Sequence, residues 1–357
     1  MQSELGKIIL SIKKPCREAM EEARKRQEKL AKPPGSLGKL EELSIQIAGI
    51  TGKVCNHLEK KHLLIFAADN GVVCEGVSSA PQSVTLKQAV NLTEGKTGAA
   101  VLADRFGVKI TVCDVGINGD ISGTSVLDRK IAHGTNNIAQ GPAMTKEQAV
   151  KAVITGAEFA RSTEADIIGV GEMGIGNTTT ASAVSAVLLD ADAEQVTGRG
   201  GGLTDNAFNK KKAVIKKAIE INQPDKNDVI DVISKIGGLD IAAMCGAFLG
   251  AAASGKPVVV DGFISAAAAL CAVRLCPLVS NYLIASHASS ETGFDFVMKE
   301  LGISPMLNLN MRLGEGSGCV LAFQIAEAAC AVMNNMATFE EAGINDDYLA
   351  EIRKNMR

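Results

Sequence analysis

A single ionisable residue, Glu315, stands between Gly314 and Gly316, and a third glycine follows at Gly318. Glycine has no Cβ, so backbone amides in this stretch can approach a ligand closely and adopt positive φ angles. An apolar run over 319–333 comes directly afterwards and predicts a helix. Two interpretations of Glu315 stay open at this point. It is either a carboxylate that favours the positive end of that helix, or a catalytic group held in a glycine loop.

Two further glycine-rich stretches could bind the phosphate of a nucleotide. Gly169-x-Gly171-x-x-Gly174 matches the dinucleotide fingerprint, but a helix is predicted over 181–189, where a Rossmann unit needs a second strand. The continuation through Gly176, Asn177 and Thr178 places small and hydroxyl residues at the start of a helix, which suits a phosphate. An NAD-dependent dehydrogenase that uses the fingerprint is therefore one alternative, and a non-catalytic nucleotide sensor is another.

The second stretch begins at Gly198 and has four glycines in five positions, including Gly201 and Gly202. So much glycine predicts a site where backbone amides bind an anion. Three lysines, 210–212, are predicted to open the next helix, where a cation is unfavourable unless an anion lies near. A solvated helix face is an equally good explanation for two of the three.

The elements that must position these residues form repeated strand–helix units from His62 onward, which predict an α/β fold with a Rossmann-like parallel sheet flanked by helices. Buried strands are predicted at 63–67, 108–112, 167–168, 258–260 and 283–285. Ligands of such sheets bind at the carboxyl ends of the strands. We therefore expect one crevice to be surrounded by the polar residues that follow the strands: Asp69, Asp114, Glu172, Asp261 and Ser286.

Helical patterns flank the strand–helix units. Residues 3–31 predict a helix interrupted near Pro15, and 40–50 predict another. Capping boxes at Thr145 and Thr338, each with a Gln or Glu three residues later, predict two further helix starts.

Composition excludes several classes of protein. The 357 residues carry a net charge of −3 and 3% aromatic residues, which argues against nucleic-acid binding. Nine scattered cysteines without a C-x-x-C pair predict reduced core thiols and a cytoplasmic location. The first ten residues do not resemble a signal peptide, and no apolar run approaches the roughly 20 residues of a bilayer span. Adjacent Ser286 and His287 do not make a hydrolase triad.

Phosphate-type sites, an isolated carboxylate and the lack of a metal-binding pattern together predict a nucleotide-sugar reaction with one proton transfer and no metal or cofactor. Nine motifs then resemble the nicotinate-nucleotide–dimethylbenzimidazole phosphoribosyltransferase family, in order from about residue 32 to 331. The motifs are PPGSLG at 33–38, AADNG at 67–71, EGVS at 75–78, GTNN at 134–137, GPAMT at 141–145, GEMGIGNTT at 171–179, DGF at 261–263, SHASSETG at 286–293 and MRLGEGSG at 311–318.

This resemblance implies a large α/β nucleotide-binding domain over 41–320, a small helical domain built from 1–40 and 321–357, and a homodimer. It implies transfer of phosphoribose from nicotinate mononucleotide to 5,6-dimethylbenzimidazole or a related base, giving α-ribazole 5′-phosphate and nicotinate. Glu315 would be the general base. The chemistry agrees, because the attacking ring gains positive charge, and loss of the proton on its other nitrogen relieves that charge.

The resemblance also implies the roles of the other site residues. Glu172 would lie beside the sugar and base, Gln88 and Leu313 would line the base pocket, and Gly314 and Gly316 would contact substrate beside Glu315. The phosphate and ribose would be held by Gly174, Gly176, Asn177, Thr178, Gly201, Gly202, Lys211 and Ser289. Ala80 and Asn70 stand where some relatives have serine and histidine, which leaves the preferred base open.

Overall fold

The computed structural model describes residues 2–349, so Met1 and 350–357 of the predicted terminal segments lie outside the described residues. The strands are β1 (Lys61–Ala68), β2 (Lys109–Gly116), β3 (Leu127–Asp128), β4 (Ile167–Met173), β5 (Val258–Val260) and β6 (Leu283–Ala285). Short 3₁₀ turns are formed by Gly71–Glu75, Pro277–Tyr282 and Asp347–Leu349.

The helices surround these strands. They are α1 (Gln2–Ser11), α2 (Arg17–Lys29), α3 (Lys39–Thr51), α4 (Val84–Thr93), α5 (Gly98–Arg105), α6 (Lys146–Ser162), α7 (Asn177–Leu189), α8 (Ala193–Val196), α9 (Asp205–Asn222), α10 (Val229–Ile236), α11 (Leu239–Ala253), α12 (Phe263–Leu275), α13 (Gly293–Leu301) and α14 (Ser317–Asn335).

The six strands form one sheet in the order β3-β2-β1-β4-β5-β6, and every neighbouring pair is parallel. This is the strand order of a Rossmann-type sheet, and the predicted fold class is confirmed. The order in which strands are added to the sheet reverses between β1 and β4, where Phe66 pairs with Glu172. Strands β2 and β3 lie on one side of this point, and β5 and β6 lie on the other. Ligands of open α/β sheets bind outside the carboxyl ends of the strands at this switch point.

Alternate residues of β1 enter two separate cores, as expected for a strand covered on both faces. Leu64 and Phe66 belong to the core formed with α6, α11 and α12. Leu63 and Ile65 belong to the core formed with α3, α5 and α14. The sheet is therefore the middle layer of three, which leaves its carboxyl edge as the place where loops from several strands meet.

The glycine fingerprint does not lie where a dinucleotide site requires it. Gly169 and Gly171 are inside β4, because the strand continues to Met173. A Cβ on Gly171 would lie 2.7 Å from the Cα of Gly316, and one on Gly169 would lie 2.7 Å from the Cβ of Cys319. These glycines therefore let the Glu315 loop and α14 pack against the strand. The interpretation of this stretch as a dinucleotide loop is wrong.

Of three helix starts predicted from the sequence, one is confirmed and two differ. The Thr145 capping box is confirmed, with Thr145 Oγ1 accepting from the Gln148 N–H at 3.2 Å and the reciprocal bond at 3.0 Å. Thr338 and Glu341 make the same reciprocal bonds, but turns follow instead of a helix, and Gly343 takes a φ of 66°. The lysines 210–212 do not open α9, because that helix starts five residues earlier at Asp205.

Helices near the two chain ends pack together, with Ala23 of α2, Ala48 of α3 and Met333 of α14 forming a small apolar cluster. The predicted boundary between 320 and 321 falls inside α14, and the division into 1–40, 41–320 and 321–357 stays a prediction. Within residues 2–349, α14 is also the one helix long and apolar enough to cross a membrane by length and composition, although Gln324 and Glu327 interrupt its apolar run. More than half of that window is buried, and α14 packs against α3, α5, β4 and β5.

Helices α6 and α11 touch backbone to backbone, and this generates a stability prediction. A Cβ on Gly246 would lie within 2.9 Å of the Val153 Cα and overlap its carbonyl. We expect Gly246→Ala to lower the free energy of unfolding by about 1–3 kcal/mol through overpacking, as measured by urea denaturation. Gly6→Ala is the matched control, because no atom lies within 4 Å of that Cβ position on α1. Alanine should stabilise that helix by up to about 1 kcal/mol. An unchanged free energy of unfolding in Gly246→Ala would contradict the prediction.

Candidate active site

A cavity of about 340 Å³ lies outside the carboxyl ends of β4 and β5, beside the switch point of the sheet. It is lined by segments from six parts of the chain, namely residues within 77–88, 172–178, 199–203, 261–265, 287–291 and 312–315. The parallel sheet brings these segments together, since each follows or faces the end of a strand. The volume is in the range of pockets that bind small molecules.

Glu315 faces this cavity from the loop before α14. Its φ of 63° is left-handed, which is uncommon for a residue other than glycine, and Gly314 and Gly316 have φ of 84° and 74°. The Oε1 atom accepts a hydrogen bond from Gln88 Nε2 at 2.8 Å, and Oε2 lies 3.5 Å from the Ala99 N–H. With 5% of its surface exposed, the side chain is held in one orientation. Such strained backbone is found at active sites, where surrounding contacts maintain it.

Glu172 is a second carboxyl group of the cavity and belongs to a buried network. The Asn177 amide donates hydrogen bonds to Glu172 Oε2 and, at 3.0 Å, to Asp240 Oδ2. Burial, with a smaller contribution from the nearby charges of Asp240, Asp261 and Glu315, raises the pKa of Glu172 to about 8, although the hydrogen bond from Asn177 opposes the shift. At neutral pH Glu172 therefore holds a proton and can donate a hydrogen bond to a ligand. Burial likewise raises the pKa of Asp240 to about 6.

The start of α7 forms the part of the cavity suited to a phosphate. Gly176 is the N-cap residue with a φ of 93°, and Thr178 follows in the first turn. The positive end of a helix favours an anion at this position. Lys211 lies fully buried directly behind, and its Nζ donates to Thr178 Oγ1 at 2.9 Å and to the Gly198 carbonyl at 3.0 Å. Burial lowers the pKa of Lys211 to about 8, although the charge of Glu291 opposes the shift.

The structure brings eleven of the fourteen predicted site residues to the cavity wall: Gln88, Glu172, Gly174, Gly176, Asn177, Thr178, Gly201, Ser289, Leu313, Gly314 and Glu315. The other three lie off the wall. Gly202 is on the exposed side of its loop, Lys211 lies one layer below, and the Gly316 N–H points to the Asp261 carboxylate at 3.1 Å.

Only two of the five strand-end residues expected around the crevice line it, Glu172 and Asp261. The others serve neighbouring loops. Asp69 accepts from the Asn118 N–H at 2.7 Å, Asp114 pairs with Lys130 at 2.6 Å, and Ser286 donates to the Asp261 carbonyl at 2.9 Å. Asp69 and Asp114 accept amides at and just after the end of β2, and Ser286 binds the backbone of Asp261, so the expectation of a complete ring is wrong.

Several lining residues were missed as site residues, although most lie within stretches already singled out. Arg199 is in the glycine loop at 198–202, Glu291 and His287 are in the 286–293 motif, and Arg312 is three residues before Glu315. Position within a recognised motif could have found these four. Asp240 gave no local signal, because its place depends on Asn177, 63 residues away along the chain.

The parallel sheet and the cavity at its switch point define an α/β protein of the Rossmann type, and comparisons with known proteins narrow this class. A family model described as phosphoribosyltransferase matches residues 12–344. The chain is 48% identical over 354 residues to the nicotinate-nucleotide–dimethylbenzimidazole phosphoribosyltransferase of Clostridium tetani, covering 98% of both chains. It is 49% identical over 352 residues to the protein of that name from Clostridium perfringens strain 13, with 98% of both covered.

Solved structures agree with the sequence relatives. The crystal structure of CobT from Thermus thermophilus matches with a TM-score of 0.89 and 38% identity, covering 92% of this chain and 99% of that one. The chain belongs to the nicotinate-nucleotide–dimethylbenzimidazole phosphoribosyltransferase family. It is therefore a pentosyltransferase.

The environment of Lys211 predicts how pH affects binding at the start of α7. As the pH rises above about 8, Lys211 loses its proton and its attraction for a phosphate dianion. We expect the affinity for ribose 5-phosphate, measured by calorimetry, to fall by up to about tenfold per pH unit in that range. Lys211→Gln should bind weakly with little pH dependence. The exposed neighbour provides a control, since Lys210→Gln should keep the wild-type profile. A flat wild-type profile from pH 7 to 10 would contradict the prediction.

Proposed function

We propose that this enzyme transfers phosphoribose from nicotinate mononucleotide to 5,6-dimethylbenzimidazole or a related base, giving α-ribazole 5′-phosphate and nicotinate. The product would serve in the biosynthesis of the nucleotide loop of cobamides. The observation that carries the proposal is the shared cavity, in which a fixed carboxylate, Glu315, lies with the phosphate-suited start of α7. The names of the relatives supply the substrate class.

The proposed reaction needs one proton acceptor. One ring nitrogen of the base forms a bond to C1′ of the ribose, while the C1′–N bond of nicotinate mononucleotide breaks with its electron pair moving to the pyridinium nitrogen. Nicotinate leaves with a neutral ring, so the leaving group requires no proton. The proton on the other nitrogen of the attacking base passes to Glu315. Attack from the face opposite the leaving group converts the β anomer into the α anomer.

Other residues of the cavity fit this reaction. The phosphate would lie at Gly176 and Thr178, with Ser289 and Gly201 on its other sides and Lys211 behind. Gln88 and Leu313 would contact the base, and Gln88 already orients the Glu315 carboxylate through its 2.8 Å bond. Protonated Glu172 would donate a hydrogen bond to the sugar or the incoming base. Preorganised groups of this kind stabilise charge that develops in the transition state.

The two rival functions now have different standing. The dehydrogenase hypothesis depended on a glycine loop, but Gly169 and Gly171 lie inside strand β4. Saturable NADH binding is therefore not expected. A nucleotide sensor would use the same cavity and bind nicotinate mononucleotide. It would release no nicotinate when dimethylbenzimidazole is added, whereas the proposed enzyme would.

We also propose a cytoplasmic homodimer, supported by the family resemblance and by the unpaired cysteines. Light scattering behind a sizing column would test the assembly. The expected mass is twice that of one 357-residue chain, and a single-chain mass at micromolar concentration would reject the dimer.

The role of Glu315 predicts the effect of its isosteric substitution. Glu315→Gln should retain the binding of nicotinate mononucleotide, because no phosphate-side contact is lost. It should lower kcat by about 10²–10⁴-fold, the usual contribution of a positioned general base. The assay is incubation with nicotinate mononucleotide and a panel of bases, followed by mass and anomer analysis of the products.

A control variant is Glu94→Gln, which removes an exposed carboxylate at the end of the helix that carries Gln88 and should keep wild-type turnover. Near-normal turnover by Glu315→Gln would remove Glu315 from the mechanism. A β-configured product would reject the inversion while leaving the transfer reaction intact.

A further inference from the structure

Asp261 is a buried carboxylate that lies between the catalytic loop and the sheet. It directly follows β5, and only 3% of its surface is exposed. Its backbone is fixed on both sides. The N–H donates to Ser265 Oγ at 3.2 Å, Ser265 donates in turn to the Val170 carbonyl of β4, and the Asp261 carbonyl accepts from Ser286 Oγ at 2.9 Å. The residue is therefore a rigid attachment point on the central sheet.

The side chain of Asp261 reaches across to the start of α14. Its Oδ2 accepts the Gly316 N–H at 3.1 Å, and its Oδ1 accepts the Gly318 N–H at 2.7 Å. These amides belong to the first turn, where N–H groups have no partner inside the helix. Gly316, the N-cap residue, has no side chain that could accept hydrogen bonds from these amides. A carboxylate from another strand thus caps this helix.

The capped amides lie one and three residues after Glu315, whose left-handed conformation needs external support. A non-glycine residue in this conformation costs roughly 1–2 kcal/mol. Beyond the Gln88 bond and the long Ala99 contact, the loop is held to the sheet by Asp261 and by packing of Gly316 on Gly171. Moving the Asp261 carboxylate would therefore move the backbone from which Glu315 extends.

Asp261 keeps this position although its surroundings disfavour a charge. Burial raises the pKa of Asp261 to about 7, and the backbone amides of the α14 start and of Gly262 oppose the shift. Glu172 in the same cavity adds a further carboxyl group. A helix cap that served stability alone could be a serine or threonine at the N-cap itself. A two-oxygen acceptor on a rigid strand end instead holds two amides of the same turn at once.

We propose that Asp261 is a positioning residue for Glu315, which sets the direction of the general base by holding the Gly316 and Gly318 amides on the sheet. The catalytic part of this inference rests on the proposed function. The structural part does not, because attachment of the loop can be measured without any substrate.

The first test measures that attachment by hydrogen exchange of peptides spanning 311–322. In Asp261→Asn, loss of the charge-assisted bonds should accelerate exchange at the Gly316 and Gly318 amides by about tenfold or more. Asp114→Asn is the matched control. Asp114 is also fully buried at a strand end and accepts two amides, from Gly116 at 2.9 Å and Ile117 at 2.7 Å, but it does not line the cavity. It should leave exchange in 311–322 unchanged.

The second test is a double-mutant cycle between Asp261 and Glu315. Asp261→Asn should lower kcat by about 10–100-fold through misplacement of the base, with little change in KM for nicotinate mononucleotide. In the Glu315→Gln background the same substitution should lower the remaining rate less than about twofold, since no base is left to position. Calorimetric counting of nucleotide sites separates this result from a loss of folded protein.

Three outcomes overturn the proposal. They are unchanged exchange at both amides, wild-type kcat in Asp261→Asn, and an equal fold-loss with and without Glu315, which would mark a general structural role. If Asp261→Asn does not fold, Asp261→Glu replaces it, and the same losses are expected because the carboxylate is displaced by one methylene. If the wild type makes no α-ribazole phosphate, the proposed function and with it the catalytic part of the inference fail, whereas the exchange result still decides the attachment.

Discussion

The contact between the 314–318 loop and strand β4 is the constraint on which the site depends. Gly171 leaves no space for a side chain, because a Cβ would lie 2.7 Å from both the nitrogen and the Cα of Gly316. Gly316 has no space for a side chain either, because a Cβ there would lie 2.5 Å from the Leu63 side chain of β1. Backbone lies directly on backbone, so the loop is placed by the most rigid part of the molecule. A catalytic group built on such a scaffold needs little rearrangement when substrate binds.

The same contact explains why buried polar groups accumulate at this edge of the sheet. The start of α14 brings unpaired amides into the interior, and Asp261 supplies oxygens for two of them. Glu172 and Asp240 share the amide of Asn177, and burial raises the pKa of each carboxyl group. Protonation of Glu172 at neutral pH lowers the number of like charges around Glu315. The network thus permits Glu172, Asp261 and Glu315 to lie in one cavity.

Local patterns predicted most of the framework, because strand runs and caps are encoded over a few residues. The strands at 258–260 and 283–285 and the Thr145 cap are confirmed at their predicted positions. Local patterns failed where a distant segment decides. The Gly169 and Gly171 pair has the spacing of a phosphate loop, but its glycines are required by α14, which lies about 150 residues later in the sequence. The missing helix after Thr338 shows that a capping pair is insufficient without an amphipathic stretch behind it.

The site residues divide in the same way, because motifs predict some of them and others depend on packing. Motifs located Glu315 and the start of α7, whereas Asp240 and the buried position of Lys211 are products of packing. Arg199 and Lys211 flank the phosphate-suited part of the cavity, where burial also raises the pKa of Glu291. Glu315 faces the same cavity from the loop before α14. In the proposed reaction, the negative phosphate of nicotinate mononucleotide would lie beside Arg199 and Lys211, with C1′ toward Glu315. Alignment of the reacting atoms before the chemical step can itself supply a large part of the rate enhancement.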